Sequence, residues 1–154
     1  MILDQNLTFG ATGAITSAAT YGCADVIDVR SNTVFGGTQN NDLAEGRDLN
    51  AVFNVTTALA GGTNATFRVV MSASDTLSNP VVIASTGAIV TADLGAGKLI
   101  ALKLDPGLIG RANLRYIGAE VVTTGTHSAG NVSAALVLDI QDGRRFYAGG
   151  FTVA

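Results

Sequence analysis

His127 and Cys23 are the only histidine and the only cysteine in the 154-residue chain. Together they allow at most one thiolate–imidazole pair, and no disulfide within the chain. A metal-binding jelly roll of the cupin type gathers several histidines. His127 stands alone in the Thr/Gly/Ser run 123–131 and reads as an exposed loop residue. Cys23 reads as a small buried apolar side chain. Gly95-Ala96-Gly97-Lys98 has the end of a phosphate loop, but that motif needs Gly at 92 and Ser or Thr at 99, where this chain has Ala92 and Leu99. It reads as a turn. Asp42, Glu45 and Asp48 do not follow calcium-loop spacing, and Arg47 sits among them, which points to a solvated loop. Glycoside hydrolysis needs two carboxylates, and sugar sites favour aromatic platforms. The chain has two glutamates (Glu45 and Glu120), no tryptophan, and Tyr21, Tyr116 and Tyr147 as its tyrosines. Tyr116 alternates with Leu114 and reads as core. The expectation is a protein that is not an enzyme and carries no metal or other cofactor.

Two charged positions suit contacts better than catalysis. Glu120 interrupts an apolar strand. It lies either at that strand's exposed end or opposite an arginine across an interface. Arg144-Arg145 follows the Asp142-Gly143 turn signal and is either a solvated hairpin tip or a salt-bridge donor to an acidic partner.

The elements that carry these residues read as strands. The clearest stretch is 113–141. Its first piece, NLRYIGAEVV, and its last, VSAALVLDIQ, alternate with a period of two, and TTGTHSAGN between them has loop composition. In the last piece Val132, Ala134, Leu136 and Leu138 share one face. The expectation is a long antiparallel hairpin around which the rest of the chain wraps. Further strands are expected at 24–29, 51–57, 66–72, 81–85, 88–91, 98–104 and 145–153. The inward set is Phe67, Val69, Met71, Ile100, Leu102, Leu104, Leu136 and Leu138. Residues 11–21 are small and polar, which predicts an extended, loosely ordered path. With roughly eight to ten short strands, Gly-rich turns and no helical period, the chain reads as one all-β domain over 1–154, a jelly roll or β-sandwich. It has an N-terminal arm at 1–13 and a long surface loop at 31–50.

Composition narrows the class. Net charge is −3, and a sequence pI of about 4.8 argues against nucleic-acid binding. No stretch approaches the roughly 20 apolar residues of a membrane helix, and no secretory signal is expected. Charged residues make up only 14% and mean hydropathy is +0.38. A surface so short of charge is expected to be partly covered by a partner.

Several short motifs in order carry a family resemblance. MILDQNLTF at the start, VIASTGAI in the middle and VSAALVLDIQDGRRFYAGGFTV at the end resemble the jelly-roll capsid cement (decoration) proteins of tailed phages, Bordetella-phage type. The family's ASTGAIP-like, RYLRLxY-like, LVLDxQ and RxYASGF-like segments have counterparts at Ala84–Ile89, Asn113–Glu120, Leu136–Gln141 and Arg145–Phe151. The departures are Arg145-Phe146-Tyr147, Val90 in place of proline, and the long 31–50 loop. The resemblance implies a structural role on the outer capsid surface of the virion, after synthesis in the host bacterial cytoplasm. The implied partners are the major capsid protein and further copies of the chain, as a homodimer or other small homo-oligomer. No nucleic acid or membrane is implied. The alternative is a small β-sandwich carbohydrate- or receptor-binding module of a phage particle. The interface candidates are the chain ends: Ile2, Leu3, Leu7 and Phe9 in the arm, then Arg144, Arg145, Phe146 and Phe151. Glycines at 10 and 13 hinge the arm, which can dock on its own core, a sister subunit or the shell.

Overall fold

A computed structural model describes residues 7–29, 33–34, 37–38, 49–105 and 114–137. Eleven strands run through them: β1 (Thr8–Ala11), β2 (Thr20–Gly22), β3 (Ile27–Asp28), β4 (Thr33–Val34), β5 (Gly37–Thr38), β6 (Leu49–Gly61), β7 (Asn64–Ser72), β8 (Val81–Val90), β9 (Leu99–Leu104), β10 (Tyr116–Thr124) and β11 (His127–Val137). A 3-10 turn, Thr91–Asp93, leads from β8 towards β9. Among the described residues β4 and β5 pair only with each other.

The other nine strands form two antiparallel sheets. The first has the order β1-β11-β6-β9 and the second β2-β10-β7-β8, with β3 on the far end of β10. β1 therefore pairs with β11, and β2 with β10. β6 pairs with β9, and β7 with β8. A long hairpin of strands rolled up on itself gives this order, which is that of a jelly roll. The all-β sandwich expected from the alternation is the observed fold.

Alternation also chose the core. Phe67, Val69 and Met71 of β7 are fully buried, as is Leu104, while Ile100, Leu102 and Leu136 have under a tenth of their surface exposed. Phe53 from the first sheet meets Phe67 from the second edge-on, with ring centroids 5.4 Å apart. That geometry matches the preference of aromatic quadrupoles. Leu138, expected inward, lies outside the described residues.

Several expectations about chain path are corrected. The hairpin expected across 113–141 does not form. β10 and β11 belong to opposite sheets, and the Gly125-Thr126 connection crosses between them. A period of two reports which face is buried but not which strand is the neighbour. Most of the expected loop is strand: Thr123 and Thr124 end β10, and 127–131 begin β11. The two short strands expected at 81–85 and 88–91 are one strand, β8. It passes through a bulge where Gly87 has φ +74°, and the Thr86 hydroxyl accepts the Phe67 N–H at 3.1 Å. Gly10 does not interrupt β1 but lies within it, at a bulge against β11. Nor is 11–21 loose. Ile15 is fully buried and its N–H bonds the Gly130 carbonyl at 2.9 Å. The Tyr21 hydroxyl oxygen accepts the N–H groups of Thr16 and Ser17 at 3.0 and 2.9 Å. Only Ile27–Asp28 of the strand expected at 24–29 is strand.

Candidate functional site

His127 is not an exposed loop residue. It opens β11 opposite Gly61 and is 1% exposed. The β6–β7 turn and the β10–β11 crossing meet here, backbone against backbone. The Gly62 N–H bonds the Thr126 carbonyl at 2.7 Å, and the Thr63 N–H bonds the Thr124 carbonyl at 2.8 Å. Gly62 has φ +57°, and a Cβ there would collide with the imidazole. Neither ring nitrogen has a hydrogen-bond partner among the described residues. The sequence signal that could have found this burial is the His at the start of an alternating run, directly after a Gly-Thr pair.

Cys23 is buried, as expected, with its N–H on the Ala119 carbonyl at 2.9 Å. Burial, aided by the charges of Asp25 and Glu120, pushes its thiol up to about 12. Such a thiol is protonated and inert at neutral pH. Cys23 lies beside the middle of β10 and His127 against the Gly61-Gly62 turn, so the structure does not join them as a catalytic pair. Among the described residues no three His, Cys, Asp or Glu side chains could share a metal ion. Gly95–Lys98 is the expected turn, closed by the Lys98 N–H on the Gly95 carbonyl at 3.1 Å.

Glu120 is neither exposed nor paired across a subunit boundary. It is 6% exposed and faces Arg68 directly across β10 and β7. Arg68 Nε and Nη2 both donate to Glu120 Oε2 at 2.8 Å. Tyr116, expected in the core, lies on the outer face beside Gly118 and Glu120. Ile117, Ala119 and Val121 are the buried set of β10. The Arg115 guanidinium lies 5.1 Å from the Tyr116 ring centroid and bonds Asp28 through Nε and Nη2.

Two surfaces remain that could bind something. One is a groove of about 360 Å³ on the outer face of the first sheet. It is lined by Thr8 and Gly10 of β1, Val52 and Asn54 of β6, Leu99 of β9, and Ser133, Ala134 and Ala135 of β11. The other is the β8 edge of the second sheet, which pairs with no further strand among the described residues. Among the described residues, three of the four large apolar side chains that remain exposed lie on β8: Val81, Val82 and Val90.

Of the interface candidates, Phe9 is fully buried in the chain's own core and Leu7 packs against that core. The described part of the arm, from Leu7 on, packs on the chain's own core. Ile2, Leu3, Arg144, Arg145, Phe146 and Phe151 lie outside the described residues, as do Asp42, Glu45, Arg47 and Asp48. No helix of the described residues is long and apolar enough to cross a membrane.

The Bbp16 family matches residues 9–136, and the chain belongs to that family of Bordetella phage proteins. No curated protein matches the chain.

Proposed function

We propose that the chain is a capsid cement protein, which binds the outer surface of the phage capsid and bridges neighbouring major capsid subunits. Its role is structural rather than catalytic, and it acts as a homodimer or other small homo-oligomer. The observation that carries this reading is membership of a Bordetella phage protein family over most of the chain. Two physical features support it. The surface is poor in charge, and three valines stand exposed along one sheet edge. A shell under internal pressure is weakest between capsomers. Modest contacts repeated over many copies add up there through multivalency.

The alternative, a glycan- or receptor-binding module, would use the groove on the first sheet. That groove is lined by small and aliphatic side chains, with no aromatic ring among its described lining residues. Quantitative mass spectrometry of purified virions tests the reading. The expected result is a copy number near that of the major capsid protein, and particles lacking the chain are expected to release DNA at lower temperature. A few copies per particle that fractionate with tails would overturn it in favour of the receptor module.

A further inference from the structure

β8 is an edge strand of unusual composition. It is ten residues long, whereas β1 and β9 at the edges of the other sheet have four and six. Natural sheets protect long edges with lysine, internal proline or a covering element. Val81–Val90 contains no charged residue and no proline. Val81, Val82 and Val90 are 51%, 46% and 53% exposed. Among the described residues β8 pairs with β7 alone, so its outer backbone edge is hydrogen-bonded to no strand there.

The sequence of that edge indicates what fits it. VIASTGAIV, 82–90, reads almost the same in both directions about Thr86. Val82 answers Val90, Ile83 answers Ile89, and Ala84 answers Ala88. The Ser85–Gly87 pair is the one departure. Two identical antiparallel strands related by a two-fold axis must place one residue opposite itself, because hydrogen-bonded and non-hydrogen-bonded pairs alternate along the ladder. An axis at Thr86 satisfies that rule. It brings the exposed Val82 of each copy against the exposed Val90 of the other. The bulge at Thr86-Gly87 then lies on the axis, a second register shift falls at Ile83, and the pairing is carried by the outward-facing ends of β8, Val82 opposite Val90.

We propose that β8 is a self-association edge, which pairs antiparallel with β8 of a second copy about a two-fold axis at Thr86 and joins the two second sheets into one. This deepens the homo-oligomer part of the proposed capsid role and rests on it. A partner strand with unlike ends would leave one exposed valine unmatched, whereas a second copy matches both.

The test uses the full chain. Sedimentation equilibrium over a micromolar series is expected to give a dimer for the native protein and a monomer for Val82→Lys/Val90→Lys, with unchanged far-UV circular dichroism. Register is read by disulfide trapping. Val82→Cys mixed with Val90→Cys is expected to cross-link under mild oxidation, and neither variant alone should do so. The native Cys23 is buried and does not compete. Directly opposed strand residues fall within disulfide reach.

A native protein that stays monomeric overturns the proposal. So does a dimer that survives both lysines and gives no mixed cross-link, but that result leaves the capsid role standing. Monomeric native protein whose lysine variant no longer co-sediments with capsids assigns the edge to a capsid segment instead. Absence of the chain from virions, with the mixed cross-link intact, removes the capsid role and keeps the edge.

Discussion

Glu120 and His127 lie on consecutive strands and both are buried, but the chain accommodates them in opposite ways. Glu120 in β10 has a partner in exact cross-strand register, Arg68, which donates two hydrogen bonds to one carboxylate oxygen. His127 in β11 has no partner for either nitrogen among the described residues and is held by shape, its ring over Gly62. The difference follows from charge. An ionised carboxylate left unpaired away from water costs several kcal/mol, so it needs a cation in a fixed place, and antiparallel register supplies one. A neutral imidazole without partners costs only about 1–3 kcal/mol, which dense packing at a turn can offset. One site is specified by pairing and the other by volume.

Breaking the paired site should have the largest effect. Arg68→Ala leaves the Glu120 carboxylate buried and alone and is expected to cost about 3–5 kcal/mol, read from urea midpoints at unchanged slope. Glu120→Gln keeps a hydrogen-bonding oxygen for Arg68 and should cost clearly less. If the two variants are equally stable, the pair is not the anchor described here.

Breaking the shape-held site comes next. Gly62→Ala adds a methyl group into the imidazole at a left-handed backbone position, and an expected cost of about 1–3 kcal/mol follows from backbone strain alone. The clash adds to that cost, and a double-mutant cycle with His127→Ala separates the two. The pair should couple favourably, by about 0.5–3 kcal/mol, because the second change removes what the first collides with. Additive effects would mean that the ring does not rest on Gly62.

His127→Leu is expected to change stability by less than about 1 kcal/mol in either direction, because the loss of aromatic contacts is offset by removing two unbonded buried nitrogens. Thermal melts at neutral pH read this directly. A loss comparable to that of Arg68→Ala would show that the imidazole does have a partner and would erase the contrast between the two sites.

How far each site was legible in the sequence follows from the same physics. Strand faces were readable wherever one side is buried: the sets of β7 and β9 follow from alternation alone, as does the all-β sandwich. Partners were not. Glu120 could be marked as needing a cation, but Arg68 lies 52 positions away, and only the rolled topology brings them together. Thr, Gly and Ser on both sides of His127 suggest a loop. In fact the glycines mark close approach of two crossing connections. The path between β10 and β11 is hidden for a related reason: a two-residue connection between alternating strands fits a crossing between sheets as well as it fits a hairpin turn.

The smallest expected effect ties a neighbouring thiol to the Glu120 site. Burial is the main cause that pushes Cys23 up to about 12, and the Asp25 and Glu120 charges add to it in that order. An unfolded thiol titrates near about 8.5. The folded value lies above the unfolded one, so this group's contribution to stability is fully present below about pH 8.5 and is lost as pH rises towards about 12. Stability should therefore fall across that alkaline window, and fall less steeply in Cys23→Ala. Glu120→Gln removes only the last of the three causes. It should lower the thiol's titration point slightly and leave it far above the unfolded value, because burial is untouched. Thiolate ultraviolet absorbance against pH reads the shift in both proteins. A large drop in Glu120→Gln would mean that the carboxylate's charge, rather than its burial beside Arg68, dominates this part of the core. No change at all would mean that Arg68 cancels that charge completely at the distance of Cys23.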